Sequence, residues 1–249
     1  MIILKSKEEI ELLRKSNQIV AHLLSDLKER IKPGITALEL DTYVEKRIME
    51  KGAIPAFKGY RNFPANLCIS INEQVVHGIP NSRRLNEGDI VSLDLGVIHN
   101  GFYGDAAITV PVGKISSEAK KLLDVAEKAL YKGIEQARIE KRLYDISHAI
   151  QTWVERNGFS VVKDFVGHGV GRNLHEDPQI PNFGSPDRGV QLKEGMVLAL
   201  EPMVNVGTWE IRVESDGWTA VTKDGRLSAH FEHTIAITQD GPDILTMIH

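Results

Sequence analysis

The sequence has few of the features that mark secreted, membrane-spanning or disulfide-rich proteins. Cys68 is the only cysteine among the 249 residues, so no disulfide can form within the chain. No segment approaches the roughly 18 consecutive apolar residues of a membrane span. The N-terminal apolar run is too short for a signal-peptide core, and acidic residues follow it at once. These absences predict a cytoplasmic protein without a membrane partner.

The charge balance also excludes classes of partner. The formal net charge is -4, and no long run carries one sign, so direct binding to nucleic acid is not expected. The composition, 42% hydrophobic and 26% charged, is that of an ordinary globular protein with a full core. We expect a monomer made of a single domain, residues 1–249.

The sequence contains an internal repeat. The segment LNEGDIVSLDLG (85–96) resembles LKEGMVLALEPM (192–203), and this alignment places Asp94 on Glu201. The strand pattern around Asp105 has a counterpart in FEHTIAIT, where Glu232 supplies the acid, and the HGI at residues 77–79 is answered by HGV at 168–170. The helical pattern of residues 36–52 is matched by that of residues 143–158. Four matches in the same order predict two pseudo-symmetric halves, about 1–113 and 114–249.

Each half begins with helical patterns and continues with strand patterns. Ser6 with Glu9, and Thr36 with Glu39, have the spacing of capping boxes at helix starts. In the second half, a helix is predicted from residues 116–118 and another around Trp153. Helices followed by strands, twice, predict an α+β protein whose helices cover a largely antiparallel sheet.

The segment VSLDLGVIHNGFYGDAAITV (91–110) predicts a hairpin with two acids on one face. Asn-Gly at residues 100–101 is the strongest short signal for a tight hairpin turn. That turn would pair Gly96 with Asp105, and Asp94 with Ala107. The two carboxylates then lie diagonally on the same face, roughly 7–8 Å apart at the backbone.

If the halves pack together, Asp94, Asp105, Glu201 and Glu232 converge. Two carboxylates at about 4 Å repel by about 4 kcal/mol at an effective dielectric near 20. No Lys or Arg stands beside them in these strands. Divalent cations are the simplest compensation, and an oxygen-rich set with one His suits two ions of Mn, Fe, Co or Zn. Singly, a strand Asp is more often hydrogen-bonded than metal-bound, and a His before Gly is more often a loop residue; the repetition favours the metal site.

The chain resembles the methionine aminopeptidases of the bacterial type I kind over nearly its whole length. The resemblance rests on KGYRNFPANLCISINEQVVHGIP, SLDLG, GFYGDAA, GHGVGRNLHEDP, LEPM and FEHT, in order. It implies the pita-bread fold, with two pseudo-symmetric halves around a dimetal site, and an enzyme that removes the initiator methionine from nascent polypeptides. A metal-bridging hydroxide would attack the scissile carbonyl. Such substrates suggest docking on the ribosome.

The resemblance also implies a role for each site residue. Asp94 would bind one metal, His168 and Glu201 the other, and Asp105 and Glu232 would bridge the pair. Three residues would be catalytic: Glu201 would shuttle the proton of the water, and two histidines would contact the peptide, His77 at its nitrogen and His175 at the carbonyl oxygen.

The resemblance further implies a pocket for the methionine side chain of the substrate. The residues that match its lining are Tyr60, Phe63, Cys68 and Trp218, and aromatic walls with a thiol suit a thioether. Two positions depart from common members of the family. Phe57 stands where some relatives have a small thiol, and Leu174 precedes His175 where an aromatic residue is common.

Two other functions fit parts of the pattern. The first is an X-Pro-cleaving peptidase of the same fold, although those enzymes usually carry a further domain before the catalytic one. The second is a non-enzymatic binding module, in which ligands have typically been lost. All five ligand positions and both histidines are chemically competent here, which favours the enzyme.

Overall fold

Four α-helices and fifteen strands form residues 1–248, the part of the chain that the computed structural model describes. The helices are α1 (Lys7–Arg30), α2 (Ala37–Glu50), α3 (Ser117–Ile134) and α4 (Leu143–Arg156). The strands are β1 (Ile54–Pro55), β2 (Leu67–Ile71), β3 (Gln74–Val76), β4 (Ile90–His99), β5 (Phe102–Pro111), β6 (Ser160–Val161), β7 (Gly167–Gly169), β8 (Glu176–Ile180), β9 (Val197–Leu200), β10 (Met203–Asn205), β11 (Ile211–Val213), β12 (Ala220–Thr222), β13 (Ser228–His230), β14 (His233–Thr238) and β15 (Gly241–Ile244).

The helices begin where the sequence predicts. Ser6 and Thr36 each accept the backbone N–H of a glutamate three residues later, and each glutamate side chain accepts the N–H of its cap. These capping boxes satisfy N–H groups that the first helical turn leaves without partners. Ser116 caps α3 in the same way through the N–H of Ala119.

The β4–β5 hairpin has the predicted register. Asn100 and Gly101 both have positive φ, 51° and 77°, as the tight turn requires. Gly96 pairs with Asp105, and Asp94 with Ala107. The two acids therefore lie on one face, and the alternate residues of β4, beginning with Val91, are buried in the core on the other.

All strand pairings within residues 1–248 are antiparallel. In the first half, β4 lies between β2 and β5; in the second, β9 lies between β7 and β14. The two sets meet at a β-bridge between Ala107 and Glu232. This bridge brings the acid-bearing segments of both halves to one place.

The helices cover the sheets as two separate layers. Helices α1 and α2 pack against β2, β4 and β5, and helices α3 and α4 pack against β9 and β14. The α+β prediction is therefore confirmed. One detail differs from the strand pattern predicted over FEHTIAIT. Strand β14 begins at His233, so Glu232 precedes it, and Glu201 likewise follows the end of β9. Both acids stand at strand ends, where the backbone can turn them inward.

None of the helices in residues 1–248 is both long enough and apolar enough to cross a lipid bilayer.

Candidate metal centre

Three ligand atoms converge at the junction of the two halves. Asp105, His168 and Glu232 each offer one donor atom, and the three atoms lie within 4.8 Å of one another. The His168 Nε2 is 3.7 Å from Asp105 Oδ2 and 3.5 Å from Glu201 Oε1. Asp94 lines the same cavity.

His168 presents an uncharged nitrogen to these acids. Its Nδ1 lies 2.9 Å from the carbonyl oxygen of Gly169, and a hydrogen bond there puts the ring proton on Nδ1. The Nε2 lone pair then faces the carboxylates, an arrangement typical of metal-binding histidines. Burial lowers the pKa of His168 to about 3, so the ring is neutral near pH 7.

Burying the four acids together makes their ionised forms unfavourable, which raises their pKa values. Burial raises the pKa of Asp94 to about 7, an effect strengthened by Glu201 and opposed by His230. Burial raises the pKa of Glu201 to about 8. The pKa values of Asp105 and Glu232 are raised well above their ordinary range by burial and by the neighbouring acids. The cluster is therefore one that holds protons unless a cation replaces them.

The residues fit divalent cations. Within residues 1–248, no Lys or Arg nitrogen lies within 4.0 Å of the four carboxylates. One oxygen on each of Asp94, Asp105 and Glu232 is buried and has no hydrogen-bond partner in that part of the chain. Unpartnered buried oxygens beside a bare imidazole nitrogen are the donor set of a hard or borderline metal ion.

His175 and His77 line the same cavity as these acids. The Nδ1 of His175 is 2.7 Å from the Tyr60 hydroxyl, and its ring is 4.3 Å from that of His168, centre to centre. His77 has a positive φ of 60° and packs edge-on against Phe165 and Trp218. Burial lowers the pKa of His77 to about 4, with the rings of His175 and His230 adding to the effect.

All eleven predicted site residues line one cavity. They are Tyr60, Phe63, Cys68, His77, Asp94, Asp105, His168, His175, Glu201, Trp218 and Glu232. Phe57, Arg61, Val76 and Leu174 complete the lining. Phe63 and Trp218 meet edge to face at 5.2 Å, so the apolar wall is rigid.

Several residues around the cavity were missed by the sequence reasoning. Arg61 lines the cavity, and the pKa of His175 is lowered first by burial and then by the charge of Arg61. Phe165 supports His77, and His230 is buried beside Glu201. Of these residues, only His230 could have been found from the sequence, because it stands on the same face as Glu232 in a predicted strand.

The fold and the buried acidic centre define a metallopeptidase. Residues 11–239 match the model of metallopeptidase family M24, and the chain belongs to this family. The family and the Asp-His-Glu cluster together indicate a site for divalent metal.

Within that family the chain belongs with the methionine aminopeptidases. It is 57% identical over 248 residues to a methionine aminopeptidase of Clostridium perfringens and 55% identical to methionine aminopeptidase 1 of Bacillus subtilis, with full coverage of both chains in each case. The crystal structure of the Thermotoga maritima methionine aminopeptidase superposes with a TM-score of 0.98 at 49% identity, over all of both chains.

The fold extends to a more distant group. Prolidase from Pyrococcus furiosus superposes with a TM-score of 0.81 at 25% identity; the match covers 99% of this chain but 66% of the prolidase. The pita-bread fold is thus confirmed. The full-length similarity to methionine aminopeptidases favours that class over the X-Pro peptidases.

Proposed function

We propose that this protein is a metal-dependent aminopeptidase that removes the N-terminal methionine from nascent polypeptides. The observation that carries the proposal is that the acidic cluster and a set of aromatic and apolar side chains line one cavity. A scissile peptide and a methionine side chain need these two environments side by side.

The metal would be held by residues from both halves. Asp94 would bind one ion, His168 and Glu201 the second, and Asp105 and Glu232 would be shared, which makes a pair of Co, Mn, Fe or Zn ions. Bound there, such a pair would polarise the substrate carbonyl and make a coordinated water acidic enough to react near neutral pH.

The side chains around that site would handle the protons. Glu201 would accept the proton of the water and deliver it to the leaving amine. The Tyr60 hydroxyl, by donating to Nδ1 of His175, would leave the ring proton on Nε2, where it can donate to the carbonyl oxygen as negative charge develops. His77 would contact the peptide nitrogen.

The same cavity would select the substrate. Phe63, Cys68 and Trp218, with Tyr60, would enclose the methionine side chain, and the free α-amine would lie against the acids. This arrangement restricts cleavage to the end of a chain, because an internal residue has no amine to neutralise.

The cellular setting follows from the substrate. Nascent chains are made in the cytoplasm, so we expect the protein to act there, with docking on the ribosome and as a monomer. We also expect residues 1–249 to work as one catalytic domain, with the two halves contributing ligands to one centre.

The test is methionine release from Met-Ala-Ser by the metal-stripped protein after addition of Mn²⁺, measured beside Ala-Pro as substrate. We expect metal-dependent cleavage of the first peptide and little of the second. Asp105→Ala should lose Mn²⁺ binding, measured by calorimetry, together with activity. Turnover of Ala-Pro alone would contradict the assignment, as would full activity of Asp105→Ala.

A further inference from the structure

His230 is a buried histidine that the mechanism above does not use. Its side chain is only 1% exposed, and neither ring nitrogen has a hydrogen-bond partner within the described residues. A buried polar group without a partner typically destabilises a fold. A ring kept there in spite of this cost indicates a task in the site it faces.

The backbone holds this ring in one place. His230 is the last residue of β13 and pairs with Met203 of β10. Its N–H donates to Thr109 Oγ1 at 2.9 Å, and its carbonyl accepts from the same hydroxyl at 2.7 Å. The backbone of His230 is therefore anchored both to β10, which begins two residues after Glu201, and to β5, which carries Asp105.

The ring of His230 lies beside the carboxylate of Glu201. The two oxygens of that carboxylate face different imidazoles: Oε1 lies 3.5 Å from His168 Nε2, and Oε2 lies 3.6 Å from His230 Nε2. Donor atoms bound to one metal ion at about 2.0–2.2 Å lie roughly 3–3.5 Å apart, so Oε1 is the oxygen placed to share an ion with His168. Oε2 is left to His230.

We propose that His230 is a positioning residue that donates a hydrogen bond from Nε2 to Oε2 of Glu201, fixing the rotation of that carboxylate while Oε1 serves the metal. The proposal rests on the function of Glu201 proposed above. The present separation exceeds a hydrogen bond by about 0.5 Å, and such contacts often tighten in the loaded site.

A fixed carboxylate matters because the proton transfers are short-range. If Glu201 could rotate, its carboxylate would leave the position from which it would take the proton of the water and pass it to the leaving amine. A misplacement of about 1 Å can lower a rate by about 100-fold. The effect should fall on turnover rather than on substrate binding, since His230 does not line the cavity.

Three variants test whether His230 acts through a hydrogen-bond donor at Nε2 or only by filling space in the core. His230→Gln places an amide N–H near the position of Nε2, His230→Asn places one near Nδ1, and His230→Leu has none. The control is His233→Gln, another histidine of the same segment, whose ring nitrogens contact Thr246 and Tyr131 away from the cavity. Melting temperature establishes folding, and calorimetry with Mn²⁺ without substrate establishes metal binding.

The measurement is kcat and KM on Met-Ala-Ser at Mn²⁺ concentrations that saturate each variant. We expect kcat to fall about 10- to 100-fold in His230→Leu and His230→Asn, with KM within threefold of the parent. His230→Gln should keep kcat within threefold. Mn²⁺ stoichiometry should match the parent in all three, and the control should keep its kcat.

The proposal is overturned by any of three results. His230→Leu could retain kcat within twofold, His230→Gln could fall as far as His230→Leu, or the losses could follow a loss of Mn²⁺ stoichiometry, which would make His230 a metal ligand instead. A parent protein that binds Mn²⁺ but releases no methionine would refute the proposed function itself, and with it this role, before any variant is compared.

Discussion

The two His-Gly pairs of the chain stand in different surroundings although their sequences match. His168 is in β7, with its Nε2 within 3.7 Å of Asp105 and Glu201. His77 follows β3 in a left-handed backbone conformation and packs edge-on against Phe165 at 5.3 Å and Trp218 at 6.0 Å. The same dipeptide thus faces carboxylates in one half and aromatic rings in the other.

Strand register explains the difference. His168 pairs with Ala199, two residues before Glu201. In the first half, the acid that corresponds to Glu201 is Asp94. The residue two positions before Asp94 is Ser92, and it pairs with Ser70. The spatial counterpart of His168 is therefore Ser70 and not His77. A repeated sequence predicts a repeated fold more safely than a repeated function.

Removing the imidazole of His168, which faces the carboxylates, should have the largest effect on activity. His168→Ala deletes the bare Nε2 that faces the carboxylates. If His168 is a metal ligand, as proposed, the metal that would polarise the carbonyl loses one donor. Metal polarisation contributes several kcal/mol, and we expect kcat/KM on Met-Ala-Ser to fall at least about 1000-fold. Calorimetry should show weaker Mn²⁺ binding; unchanged affinity would exclude His168 as a ligand.

Removing the ring on the aromatic side should affect catalysis alone. We expect His77→Ala to bind Mn²⁺ like the parent and to lose about 100-fold in kcat, the usual size of a lost proton donor or acceptor. His99→Ala, which alters a histidine outside the cavity, is the control. If His77→Ala lost its metal, the two His-Gly pairs would be equivalent after all.

The acidic side should also give the metal-free protein an unusual pH dependence. An acid whose pKa is raised by folding holds its proton more tightly in the folded state, so stability is lost as the pH rises through the folded pKa. Asp94, at about 7, and Glu201, at about 8, titrate between pH 6.5 and 8.5. In the unfolded chain both are already ionised in this range.

Asp94 and Glu201 alone should therefore lower the free energy of unfolding by about 2 to 3 kcal/mol from pH 6.5 to 8.5 without metal. Asp105 and Glu232, whose pKa values are also raised, should lower it further. The cavity histidines, whose pKa values are lowered, oppose this by only about 0.4 kcal/mol each, because most of their effect falls below pH 6.5. Chemical denaturation at both pH values measures the change. Saturating Mn²⁺ should abolish or reverse it, since deprotonation favours metal binding. A metal-free protein equally stable at both values would mean that the acids are not held protonated.

The parts of the structure that depend on neighbouring residues could be predicted from the sequence. The capping boxes at Ser6 and Thr36 and the turn at Asn100 depend on local hydrogen bonds and backbone preferences, and the register of Asp94 and Asp105 followed from the turn. The convergence of the acids was predicted because the repeat supplied long-range information.

The parts that depend on packing between distant segments could not be predicted. Phe165 and His77 are far apart in the chain and meet only through the fold, and neither a period nor a motif joins them. The role difference between His77 and His168 came from the family resemblance. The register that explains it requires the pairing of β7 with β9, which involves two residues of a three-residue strand and carries little pattern.

The smallest effect on activity should come from changing Phe165, the aromatic residue that packs against His77. Phe165→Leu keeps an apolar side chain of similar volume but removes the edge-to-face contact, which is typically worth about 0.5–1.5 kcal/mol. If His77 acts from a position set by its aromatic neighbours, kcat should fall about two- to tenfold while Mn²⁺ binding stays constant. Phe159→Leu, a matched change of a phenylalanine in the core cluster under α3 and α4, should leave kcat unchanged. Equal losses in both variants would mean that general loosening, rather than the support of His77, reaches the reaction.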